Sequence, residues 1–114
     1  MPNFILTYHQ PDGYVPGTDA DTMAEWGRFF ETIGRSVVEL GQPVAARATV
    51  GQTGEGTQLG GYSVVRADNL EAALALAGHC PSLSAGGGVQ VGELAPPPDH
   101  VASKVEGRLS RAQA

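Results

Sequence analysis

Gly60-Gly61-Tyr62-Ser63-Val64-Val65-Arg66-Ala67-Asp68-Asn69-Leu70-Glu71-Ala72-Ala73-Leu74-Ala75-Leu76-Ala77-Gly78-His79-Cys80-Pro81 reads as a strand, a capped turn and a short helix. Tyr62, Val64 and Val65 suit a pleated, half-buried surface. Asp68 is expected to cap the helix by accepting from free N–H groups of its first turn, with Glu71 reaching back to complete a capping box. Leu70, Ala73, Leu74 and Ala77 follow at helical spacing and give one apolar face. Pro81 ends the helix, because it lacks an N–H and disfavours helical geometry in the residue before it. So short a helix is unstable alone in water and must be held by packing on a sheet.

The pattern extends in both directions. Asn3 to His9 reads as a first strand, with Phe4, Leu6 and Tyr8 on one face and Ile5, Thr7 and His9 on the other. A loop over 10–18 follows. Asp19 or Asp21 then caps a helix whose apolar stripe runs through Met23, Trp26, Phe30, Ile33, Val37 and Leu40 to a C-terminal Gly41. Val44 to Val50 reads as a second strand and 51–57 as a glycine-rich turn. Leu59 to Arg66 is the third strand, Asn69 to His79 the second helix, and Gly86 to Glu93 the fourth strand. The order β-α-β-β-α-β predicts an α+β fold, a ferredoxin-like sandwich with both helices on one sheet face. The other face would be bare, and the simplest cover is a second copy, giving a homodimer whose two sheets enclose a cavity. Residues 1–95 form this domain; Pro96-Pro97-Pro98 closes it, and 96–114 is a tail with Val101, Val105 and Leu109 every fourth residue.

Composition narrows the functional classes. The chain has 114 residues, net charge −5 and one cysteine. Residues 1–57 carry seven acids and three bases, and 58–114 five and four. There is no basic cluster outside the tail, so nucleic-acid binding is not expected. A lone cysteine fits a reducing, cytoplasmic setting, and no apolar stretch reaches the length of a membrane span. The N-terminus shows no basic region followed by an apolar run of the kind that marks a signal peptide.

Leu59-Gly60-Gly61-Tyr62, Asp68-Asn69-Leu70-Glu71-Ala72-Ala73-Leu74, His79-Cys80-Pro81 and Val89-Gln90-Val91 resemble the YCII-related family, including its DGPF branch. The resemblance covers about residues 3 to 95. It implies a dimeric α+β barrel, found as small stand-alone bacterial proteins of mostly unassigned function. The branch's Asp-Gly-Pro-Phe motif is replaced by Thr53-Gly54-Glu55-Gly56-Thr57. A His–Asp pair proposed as catalytic in some members would fall near Glu25-Trp26 and Gly34, where neither residue type stands. That chemistry does not carry over.

The candidates for chemistry lie elsewhere. His9 is expected on the open sheet face beside Thr7, with Asp12 three residues on to orient the imidazole for general-base work. The plainer alternative is a strand-end histidine hydrogen-bonded at a rim. Arg47 could hold an anionic ligand by a bidentate pair, or form a salt bridge with Glu93 or a partner chain. Tyr62 would help orient a small molecule, and mixed polar and apolar strand residues are the usual lining of such sites. Cys80 stands at a helix C-terminus, where a thiolate is disfavoured. Three scattered histidines and one cysteine match no zinc spacing, so no metal and no cofactor are expected. Gly51-Gln52-Thr53-Gly54-Glu55-Gly56 precedes a strand, whereas phosphate loops open a helix. Trp26 belongs to the apolar helix stripe and reads as core. Two readings stand side by side: an enzyme-like homodimer with a small-molecule site in the intersubunit cleft, and a non-catalytic dimeric module that binds a metabolite or a protein.

Overall fold

The computed structural model describes residues 1–15, 19–54 and 56–113. Pro16 to Thr18 of the expected loop, Glu55 of the expected glycine-rich turn and the side chain of Leu109 lie outside the described residues. In chain order the elements are β1 (Asn3–Pro11), α1 (Ala20–Ile33), β2 (Val37–Glu39), β3 (Thr57–Arg66), α2 (Leu70–Ala77), β4 (Gly88–Glu93) and α3 (Asp99–Gln113). The strands form one sheet in the order β2-β3-β1-β4, and every neighbouring pair is antiparallel. This is a ferredoxin-like arrangement of two interleaved β-α-β units.

β1 is central and its alternation sets the two faces. Phe4, Leu6 and Tyr8 are buried and meet Phe29 and Ile33 of α1 and Ala73 and Ala77 of α2 in a single core. The small alanines bring α2 close to the sheet. Each large side chain buried here contributes roughly 1.5–3 kcal/mol. Tyr8 joins an aromatic cluster, with its ring centroid 5.3 Å from that of Trp26 and 6.0 Å from that of Phe29, both edge to face. On the other face Ile5, Thr7 and His9 are half-buried and stand across from Val64, Tyr62 and Leu59. Among the described residues no helix is long and apolar enough to cross a membrane.

Two expected boundaries are corrected. The apolar stripe through Leu40 is not one helix. α1 stops at Ile33, a 3₁₀ turn spans Gly34–Ser36, and Val37–Glu39 pairs with β3 as the second strand. β-branched Val37 and Val38 prefer extended backbone, and Gly34 gives the helix a weak point. Val44–Val50 is therefore not a strand; it meets β3 at its start, where Val44 N donates to Gly60 O, beside an isolated bridge one residue upstream between Pro43 and Gly61. Gly41, expected as a helix cap, instead takes φ 77° in the turn after β2. A Cβ there would collide with the Tyr62 carbonyl.

The helix cap also moves by one residue. Asn69, not Asp68, caps α2, and its Oδ1 accepts from Ala72 N at 2.8 Å. Ala67 is held in the extended chain by donating from its N–H to Pro2 O at 3.2 Å, which delays the turn. Asp19 caps α1 by accepting from Thr22 N at 3.1 Å, and its carboxyl is held below the usual range chiefly by the Thr22 hydroxyl.

Candidate functional site

A concavity lined largely by aromatic and apolar residues lies on the helix side of the sheet. It is a cavity of about 410 Å³ between α1, the end of β1 and the segment after β2. That volume falls within the range of small-molecule sites. Tyr8, Trp26, Phe30 and Met23 give it aromatic and apolar walls, while Arg47 and Gln58 bring polar groups to it.

Local backbone chemistry opens this space. β3 carries a bulge opposite Tyr8 and His9, so the register skips Gly60. Gln10 lies over Gly60, where any Cβ would strike its side-chain amide. Beside the bulge the chain of 42–44 crosses β3: Val44 N donates to Gly60 O at 3.0 Å and Tyr62 N to Gln42 O at 3.3 Å. Gly61 permits that approach, since a Cβ on it would sit 3.2 Å from Gln42 O. Arg47 then locks the segment, with Nε donating to Leu59 O at 2.8 Å and one terminal amine to Val44 O at 3.0 Å. Its polar contacts are backbone carbonyls rather than Glu93, and it stays exposed at the cavity edge.

The residues singled out from sequence separate into two places. Thr7 and His9 share the open sheet face, and Thr7 Oγ1 lies 2.9 Å from His9 Nε2. Tyr62 stands across from Thr7 and also borders the cavity on the other side of the sheet. Its hydroxyl donates to Glu39 Oε1 at 2.8 Å, a bond that raises the phenol's pKa because the carboxylate favours the protonated form. Asp12 is exposed in the turn after β1, where its backbone N–H donates to Gly56 O at 3.2 Å. Among the described residues no hydrogen bond joins Asp12 to His9. Arg47 belongs to the cavity on the opposite side.

No protein family matches the chain, and no curated protein does. Among solved structures the chain is similar to the 5-chloro-2-hydroxyhydroquinone dehydrochlorinase of Burkholderia phenoliruptrix AC1100, solved in complex with 2,5-dihydroxybenzoquinone. The TM-score is 0.56 and the identity 14%, with 82% of this chain and 95% of that one covered. At that identity the likeness is one of fold.

Sequence reasoning missed Gln10, Tyr14 and Glu39 as contributors to these two places. The cue for Glu39 was the Val37-Val38 pair, which breaks the helix and turns Glu39 toward Tyr62. For Gln10 it was Gly60-Gly61, whose missing side chains make room on β3. Cys80 is buried, and burial raises its thiol pKa, which leaves it a poor nucleophile. Among the described residues no three His, Cys, Asp or Glu side chains gather as a metal site.

Proposed function

We propose that this protein binds a small, planar, oxygenated organic molecule in the cavity between α1 and the segment after β2. The observation that carries this reading is an aromatic-walled space of about 410 Å³ with one guanidinium at its edge. Tyr8 and Trp26 offer a ring edge and face for stacking, and Arg47 offers a charged partner for an anionic oxygen. The complex of the structural neighbour with 2,5-dihydroxybenzoquinone supports a ligand of this class. Kinship with the YCII-related family, a homodimer through the open sheet face and a cytoplasmic setting are parts of the same proposal. They are supported by the shared ferredoxin-like fold, the half-buried apolar open face and the single cysteine.

Calorimetric titration with 2,5-dihydroxybenzoquinone and with benzoate tests it. Saturable binding is expected, weakened about tenfold or more in Arg47→Ala, as befits loss of a charge-assisted hydrogen bond. No heat with either probe would contradict the reading.

A second reading rests on the 2.9 Å contact of His9 with Thr7. In a sheet-to-sheet dimer this pair and Tyr62 would meet the partner chain, with His9 as general base, Asp12 orienting it from the turn and Tyr62 positioning the substrate. On that reading His9→Ala abolishes turnover of whatever substrate is found, and turnover that persists unchanged removes His9 from the mechanism.

A further inference from the structure

The aromatic-walled cavity has a neighbour. A smaller space of about 220 Å³ lies between α1 and the turn after α2, and it shares Gln10, Tyr14, Thr22 and Trp26 with the larger one. Trp26 thus stands between two lobes of one groove. The lobes differ in chemistry. Among the described residues Arg47 is the only formally charged side chain lining the large lobe, and Glu25 the only one lining the small lobe. Arg28, one turn beyond Glu25, lines a neighbouring groove of about 410 Å³ that Glu25, Pro81 and Ser84 also border, and it does not line the small lobe itself. The small lobe is the more polar, lined also by Ser82 and Ser84. Ser82 is 1% exposed, and its hydroxyl has no hydrogen-bond partner among the described residues. That oxygen is closed to solvent, so the small lobe presents the exposed Glu25 and Ser84 to a ligand.

We infer that the groove selects a ring-bearing ligand with an anionic group at one end and a hydrogen-bond donor or cationic group at the other. The acid meets Arg47, the ring lies against Trp26 and Tyr8, and the donor faces Glu25. A second carboxylate at the far end would meet the Glu25 carboxylate and be repelled. This inference rests on the cavity being the ligand site, and it adds the polarity of the ligand to that reading.

Benzoate, 4-(aminomethyl)benzoate and terephthalate share one ring acid and differ only in the far group. Each is titrated against the intact protein, with the fluorescence of Trp26 as readout; it is the chain's one tryptophan, and it borders both lobes. The expected order is the zwitterion about tenfold tighter than benzoate, and the dianion weaker than benzoate, the scale of one charge-assisted hydrogen bond. In Glu25→Gln the zwitterion's advantage over the dianion is expected to collapse, because the far-end charge is gone; Glu25 is exposed, so the substitution leaves the fold intact. Equal affinity for all three compounds, or an order unchanged in Glu25→Gln, overturns the inference while leaving the cavity reading in place. Failure of benzoate and both derivatives to bind overturns both.

Discussion

Two single residues show how closely the site is tied to the fold. Gly41 has φ 77°, and a Cβ on it would run into the backbone of Tyr62. Gly41→Ala is expected to cost about 2–4 kcal/mol from positive-φ strain and overpacking, read as a lower denaturant midpoint. The same change should displace the 42–44 crossing that walls the cavity. Tyr8 is 4% exposed, and its hydroxyl has no hydrogen-bond partner among the described residues. The Ser63 hydroxyl is committed to Leu40 O at 2.6 Å. Burial drives the Tyr8 phenol up to about 12, an effect Ser63 only softens. A raised tyrosine pKa disfavours the charged form in the folded state, so its contribution is intact below the ordinary value of 10.0 and is lost as pH climbs toward about 12. Tyr8→Phe keeps the ring packing and removes the titration. Thermal melts of the variant should fall less steeply over that alkaline window than those of the parent, and an identical alkaline slope would refute the assignment.

At the scale of elements, what was legible in the sequence depended on the strength of the local signal. The Gly60–Pro81 stretch yielded β3 and α2 because the alternation, the cap and the proline agree with one another. The cap slipped from Asp68 to Asn69 because a long-range bond from Ala67 to Pro2 decides where the strand ends, and no local pattern records it. The stretch 34–50 misled because Val37 and Leu40 prolong a helical period that Gly34 interrupts, and strand pairing outweighed that period. The cavity was the least legible feature. It arises where the bulge at Gly60, the turn at Gly41 and the side chain of Arg47 converge, three places separated in sequence. Thr7 and His9 were readable as neighbours because they are two apart on one strand face, whereas Asp12, placed with them by spacing alone, stands in the turn. At this scale α3 gives a direct test. Val101 is 43% and Val105 51% exposed, so these two residues of its apolar stripe are largely uncovered. Ending the chain after Pro98 should leave the melting temperature of the sheet domain within a few degrees, since little of the core is lost. A collapse in stability would show that the tail belongs to the domain.

The whole molecule is less compact than its length predicts. Its radius of gyration is 16.3 Å, against about 13 Å for a compact chain of this size. The open sheet face carries Ile5 and Val64 side by side in cross-strand register, an apolar seam suited to a second copy. Ile5→Asp would bury a charge in that seam, and light scattering should then report monomer where the parent reports dimer; a monomeric parent would refute the sheet-to-sheet assembly. The ligand site itself has a sharper test, because the two faces of the sheet are reported by different residues. Benzoate titrated into ¹⁵N-labelled protein should move the single Trp26 indole signal together with the amides of Gly41, Gly60 and Gly61, and leave Ile5, Thr7 and His9 in place. Shifts gathered on Thr7 and His9 with Trp26 unmoved, or no shifts at all, would contradict the cavity as the binding site.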